Sequence, residues 1–208
     1  MANKKITWSK VLNIVLILIV ILVAIPATRS IFQKGLMKLG FFQPDLKTPV
    51  VQDAEKPPIE PESSLQASTD GSQVSFQDDG GKILKIQELK GKVVFLNFWA
   101  TWCPPCKAEM PSIQALKDKF EGDQADKIAF LLVELEQDKE KAHAFMKEGE
   151  MDLPIFYPAS EIPPTWLGQS IPTTLILDKE GNVAARHEGM ADYSTDNVFE
   201  FITELINK

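Results

Sequence analysis

The strongest constraint in this chain is a join. The stretch "KVVFLNFWA" (92–100) is an almost unbroken apolar run, and "TWCPPCKAEMP" (101–111) follows it without a linker. A run of this kind is expected of a strand covered on both faces. The next segment reads as a helix, with Met110, Ile113, Leu116 and Phe120 recurring every three or four residues. Both cysteines of the chain, Cys103 and Cys106, lie at this strand-to-helix turn. Cys103 is therefore predicted at or near the N-cap, Pro104 at the first helical position and Cys106 about one turn in. Proline suits the first turn, where backbone N–H groups have no helical acceptor. Cys103 is expected to face solvent at the positive end of the helix dipole, which favours a thiolate, with Cys106 turned inward behind it. One thiol can then attack a disulfide and the other resolve the mixed disulfide. A purely structural bridge across so short a loop would add little by chain entropy. Pro111 is expected to remove one helical hydrogen bond and kink the helix.

The elements around this turn alternate. "VSFQ", "DDGG" and "KILKI" read as two short strands about a turn. "KIAFLLVEL" (127–135) reads as a second buried strand. "DKEKAHAFMKEG" (138–149) is helical, with Asp138 as N-cap and Gly149 past its end. "LPIFY" is a short strand, "TTLILD" and "VAARHEG" form a hairpin about "KEGN", and "STDNVFEFITELIN" closes as a helix capped by Ser194. The pattern predicts an α/β domain over residues 71–208: a mixed central sheet with helices on both faces.

The N-terminal part has a different character. Residues 1–48 carry seven Lys/Arg against the single acid Asp45, whereas the whole chain has a net charge of −7. The remainder is thus strongly acidic, which argues against a nucleic-acid partner. Val11–Ala27 has one strongly polar residue, Asn13; counted from Ile6 the apolar stretch reaches 22 residues, with Lys10 snorkelling and Trp8 at the interface. That approaches the ~20 residues needed to cross a bilayer. A cleaved signal peptide shares these features, but small residues at cleavage spacing are poorly placed, so residues 6–27 are read as a retained membrane anchor. Basic residues flank both ends, so charge does not settle the orientation. Residues 28–42 continue as an amphipathic extension along the headgroups. Residues 43–70 hold five prolines and read as a flexible linker, spanning on the order of 80–90 Å when extended. The domains are thus 1–42, 43–70 and 71–208.

"NFWATWCPPCKAEMP" resembles the active site of the TlpA/ResA-type membrane-anchored thioredoxin-like thiol–disulfide reductases, related to the cytochrome c maturation thioredoxins. "SIPTTLILDKEGN" is similar to the segment that carries this family's cis-proline. The resemblance covers roughly residues 73–208 and implies a thioredoxin-like fold. It implies that Cys103 attacks, Cys106 resolves and Glu109 assists proton transfer, and that Trp102, Pro104, Ile171 and Pro172 contact the substrate. It further implies protein disulfide substrates, with oxidised apocytochrome c the most specific candidate, an upstream membrane electron donor, an extracytoplasmic head on a single-pass inner-membrane anchor, and no cofactor. One departure stands out: thioredoxin keeps an aspartate six residues before the first cysteine, and here Asn97 stands there. The segment "PASEIPPTWLGQS" is particular to this chain, and Pro163, Pro164 and Trp166 are expected to line the substrate face.

The Pro-Pro dipeptide suggests the direction of electron flow. Pro104 and Pro105 lack N–H groups, so a Cys103 thiolate loses two donors, the dithiol is less stabilised and the couple becomes more reducing. Two other functions share the fold. A thiol peroxidase needs a separate peroxidatic cysteine, and the chain has none. A copper-delivery module needs both thiols and a histidine, from only His143 and His187. With two cysteines and two histidines, a closed structural zinc site is hard to build. No metal is expected. The roles of Glu134 and Glu136, at a strand end, stay open.

Overall fold

The computed structural model describes residues 71–208, together with Asn13 alone from the N-terminal part. The predicted anchor, its extension and the linker lie outside the described residues. Among the described residues, no helix is long and apolar enough to cross a membrane.

Seven strands form one mixed sheet: β1 (Ser75–Asp78), β2 (Ile83–Lys85), β3 (Val93–Trp99), β4 (Ile128–Glu134), β5 (Ile155–Pro158), β6 (Thr173–Leu177) and β7 (Val183–Glu188), in the order β2-β1-β5-β4-β3-β6-β7. The helices are α1 (Pro104–Lys119), α2 (Lys139–Glu148), the short α3 (Pro164–Leu167) and α4 (Asp196–Asn207). β3 and β4 pair in parallel across α1, and β4 and β5 across α2; β6 and β7 then run antiparallel on the other side of β3. All seven residues of β3 are buried, as its continuous apolar run requires of a central strand.

Helices lie on both faces as expected, but unevenly, with only the short α3 on one of them. Val93, Phe95, Trp99, Phe130 and Leu132 look toward one side, where they meet Cys106, Met110, Ile113 and Leu116 of α1, Ala142 and Met146 of α2, and Val198, Ile202 and Leu205 of α4. The three long helices among the described residues therefore share one face. Two successive parallel crossovers that continue in the same direction across a sheet, both right-handed, put their helices on one side. Val94, Leu96, Phe98, Leu131 and Val133 look the other way, where Val74, Ile86 and Ile162 cover them from short turns and loops and Trp166 from the short α3. The stripe Val198, Ile202, Leu205 and Ile206 of α4 is buried; each such side chain contributes about 1.5–3 kcal/mol relative to exposure.

Local signals mostly hold. The Asp138 side chain accepts the Lys141 N–H at 3.1 Å and caps α2. The predicted cap of α4 is displaced by one residue: Thr195 takes the N-cap position without a side-chain bond, while the Ser194 hydroxyl donates to Asp192. Pro111 does not end α1, which runs through it to Lys119.

Candidate active site

β3 delivers the chain to the start of α1 through a turn at Thr101–Trp102. Cys103 is the N-cap of α1, with φ −85° and ψ 103°, and Pro104 is the first helical residue. The two cysteines form a disulfide, their Cα atoms 5.3 Å apart. The Cys106 N–H points at Cys103 Sγ over 3.2 Å, and the Lys107 N–H is spent on the Cys103 carbonyl. With no N–H on Pro104 or Pro105, a single backbone donor serves the Cys103 sulfur in this turn.

Cys103 does not face solvent as the sequence suggested. It is 2% exposed, and Cys106 is fully buried. The Ile171 carbonyl oxygen lies 3.9 Å from Cys103 Sγ, so the segment before β6 roofs the sulfur that the helix start alone would leave open. Sequence-local reasoning placed the helix end correctly; the cover comes from 68 residues away. Trp102, beside it, is 62% exposed, a large apolar side chain in solvent next to a redox pair. Pro104 is exposed, Ile171 half-buried and Pro172 buried. The Ile171–Pro172 peptide is cis. Trp102 and Pro104 adjoin Cys103 in the chain, and the Ile171 carbonyl faces its sulfur. Trp166 lies elsewhere: it is buried in the opposite face of the sheet, against the N-terminal turn at Gly71, and does not line the substrate face. Pro163 caps its short helix and Pro164 opens it.

Glu109, one turn beyond Cys106, is completely buried. Its Oε1 accepts from Asn97 Nδ2 at 2.7 Å, and its Oε2 accepts from the Ala191 N–H at 3.1 Å. Burial disfavours the carboxylate and pushes the pKa from 4.5 up to about 8; the bonds from Asn97 and Ala191 pull against that rise. Such a group holds a proton near neutral pH and can give or take one. Asn97 also donates to Thr174 Oγ1 at 2.9 Å, directly opposite it on β6. Ser112 accepts the Tyr193 N–H, which pins the segment after β7 onto α1. Tyr193 is fully buried, and burial together with the nearby Glu109 charge drives its pKa well above the ordinary tyrosine value.

This polar nest around Glu109 was only partly visible in sequence. Asn97 stood out as the one polar residue in the β3 run, but Ala191, Thr174 and Tyr193 reach Glu109 and Asn97 only through the fold. The two histidines sit elsewhere: His143 Nε2 is 2.9 Å from Asp79 Oδ1 near the edge of the sheet, and His187 is half-buried on β7. Glu134 is buried at the end of β4, where its Oε2 accepts the Asp138 N–H at the start of α2.

The fold and the cysteine turn can be set beside known proteins. The Redoxin family model matches residues 58–200. The chain belongs to the Redoxin family. Within this Redoxin setting, the thioredoxin-like protein YneN of Bacillus subtilis is 34% identical over 131 residues, covering 62% of this chain and 75% of the relative. The thiol-disulfide oxidoreductase ResA of the same organism is 30% identical over 121 residues, covering 58% and 66%. The sporulation thiol-disulfide oxidoreductase A, also of Bacillus subtilis, is 29% identical over 133 residues, covering 64% and 74%. Among solved structures, a Chlorobium tepidum thiol:disulfide interchange protein described as DsbE superposes with a TM-score of 0.55 at 22% identity, covering 66% of this chain and 96% of that one, a likeness of fold. With its CxxC pair on the thioredoxin-like fold, this Redoxin domain is a thiol–disulfide oxidoreductase of the ResA type.

Proposed function

We propose that the protein is an extracytoplasmic reductase that passes two electrons from the Cys103–Cys106 dithiol to disulfides in partner proteins. The supporting observation is the disulfide at the start of α1, whose Cys103 sulfur receives one backbone N–H and lacks the two that Pro104 and Pro105 remove. A sparsely stabilised thiolate favours the disulfide form of this couple, and hence electron donation.

The steps balance as follows. The Cys103 thiolate attacks one sulfur of the partner disulfide; the Cys103–partner bond forms, the partner bond breaks and one partner sulfur leaves as thiolate. Cys106, deprotonated, attacks Cys103 Sγ; the Cys103–Cys106 bond forms and the second partner sulfur is released. The partner is reduced by two electrons and this chain is oxidised by two. Glu109 takes or returns the proton of Cys106. Trp102 and Pro104 offer the exposed contact surface, and the Ile171 backbone with Pro172 docks the partner strand. A dithiol donor in the membrane then restores the pair.

Such a reductase is useful where disulfides form, outside the cytosol. Residues 6–27 would anchor it with the N-terminus inside, and residues 43–70 would tether the head. An oxidised CxxCH segment of apocytochrome c is the proposed substrate, on the family resemblance.

Substituting Cys106→Ser tests the reading. The variant should accumulate a mixed disulfide between Cys103 and its partner in intact cells, released by dithiothreitol and identified by mass. Capture through Cys103→Ser instead, or through neither variant, would contradict it. A membrane-impermeant thiol reagent should label Cys103 in reduced intact cells; labelling only after lysis would refute the orientation.

A further inference from the structure

The Asn97 amide has an asymmetric set of contacts. Its Nδ2 gives one hydrogen to Glu109 Oε1 at 2.7 Å and the other to Thr174 Oγ1 at 2.9 Å. Its Oδ1, equally buried, has no partner. This orientation suits an ionised Glu109, because both contacts are donations. It does not suit a protonated one. A proton on Oε2 would have no acceptor facing it there, because the Ala191 N–H is a donor, and would weaken that bond. A proton on Oε1 would confront a second donor at 2.7 Å unless the amide turns.

We propose that Asn97 is a positioning residue for the proton-transfer step, and that its amide turns over each time Glu109 gains or loses its proton. After a half-turn about Cβ–Cγ, Oδ1 occupies the place of Nδ2. It accepts the Glu109 Oε1–H and, on its other lone pair, the Thr174 hydroxyl, which is free to rotate its hydrogen toward it. Nδ2 then takes the place of the present orphan oxygen. Each orientation makes two hydrogen bonds; the present one leaves Oδ1 unpaired and the turned one leaves the two N–H groups of Nδ2, a cost that the new Oε1–H···Oδ1 bond offsets. A fixed donor such as a lysine, or a fixed carboxylate, would favour one protonation state of Glu109 over the other. Asn97 serves both, and that is what a group that must cycle its proton requires.

The titratable groups facing Glu109 are few. β3 and β6 offer only Asn97 and Thr174, which carry no charge. β7 brings His187, opposite Thr174 in the ladder and so on the same face of the sheet, its pKa lowered from 6.5 by burial. The segment after β7 brings Tyr193, whose pKa is raised well above 10 by burial. On α1 itself the cysteine pair does not titrate while it is a disulfide. In the oxidised protein a titration near pH 8 at this site therefore belongs to Glu109.

The inference rests on Glu109 as the proton-carrying group, and its test needs no partner and no turnover. The full-length chain in detergent, oxidised and labelled with 15N-asparagine and side-chain 13C-glutamate, is titrated by NMR from pH 6 to pH 10. The Asn97 Nδ2 protons should show contacts to Thr174 at high pH and lose them on acidification, with the same midpoint as the Glu109 carboxyl carbon. Contacts to Thr174 that persist at every pH while Glu109 titrates would overturn the inference. So would a Glu109 that does not titrate in this range. As a second measurement, Asn97→Leu should move the Glu109 midpoint by less than one pH unit, since it removes one partner from each protonation state. A larger upward shift would mean that the amide is a fixed donor to the carboxylate. Loss of disulfide reduction without any change in these titrations would count against the proposed reaction and leave Asn97 as described.

Discussion

Glu109→Gln should stabilise the folded protein, and the gain should depend on pH. The unfolded carboxyl titrates near 4.5 and the folded one near 8. Below pH 4.5 both states keep the proton and the wild type carries no penalty. Between those values the unfolded chain releases a proton that the folded chain retains, so stability falls as pH rises, by at most ~1.4 kcal/mol per unit. Above pH 8 both states are ionised and the loss levels off. The two titrations together give a loss of about 3–4 kcal/mol between pH 5 and pH 8. Glutamine has the same shape and no proton to lose. It can accept the Ala191 N–H through Oε1 and donate to Asn97 through Nε2, provided the amide turns. Urea unfolding of the oxidised full-length chain and its variant at pH 5, 6.5, 8 and 9 gives the difference directly, and every other titrating group cancels. The variant's urea midpoint should gain about 1.5–2 M on the wild type between pH 5 and pH 8 and only about 0.2 M more by pH 9. A difference that is flat from pH 5 to pH 9 would show that Glu109 is ionised throughout and would refute the argument from burial.

Other outcomes follow from the same geometry. Trp102→Ala should leave thermal stability within about 0.5 kcal/mol of wild type, since the side chain is largely in solvent, yet slow reduction of a protein disulfide; unchanged kinetics would remove Trp102 from the contact surface. Gly168→Ala should destabilise by about 1–3 kcal/mol in urea melts: Gly168 has φ +69°, and a Cβ there would overlap the Arg186 guanidinium and the Glu188 carboxylate. A neutral effect would mean that the loop ahead of Ile171 is not held as described. Ser112→Ala deprives the Tyr193 N–H of its acceptor and should cost about 1–3 kcal/mol, measured the same way.

Much of this was legible because it is local. A continuous apolar run ended by two cysteines and two prolines specifies a buried strand, a turn and a helix start within one stretch of chain, and Cys103 caps α1 as the spacing requires. The hairpins around "DDGG" and "KEGN" were equally plain. Apart from the α4 cap, placed one residue early, the failures are long-range. The cover over Cys103 comes from Ile171, and no property of "WCPPC" implies it. Trp166 sits among prolines in a loop-like segment that suggests a surface, but its ring fills the far face of the sheet. The expectation of helices on both faces did not foresee that α1 and α2 both cross over on the same side, leaving the other face to the short α3. Glu109 was marked by resemblance; the reason its proton is held, complete burial with bonds from Asn97 and Ala191, appears only when β3, α1 and the segment after β7 are brought together.

The reduction potential of the Cys103–Cys106 couple tests the central claim most directly. Equilibrated against a defined dithiol buffer at pH 7, it should lie near or below that of thioredoxin, about −270 mV, as expected of an electron donor with two thiolate-stabilising N–H groups missing. A value near −120 mV, that of a strong thiol oxidant of this fold, would contradict it.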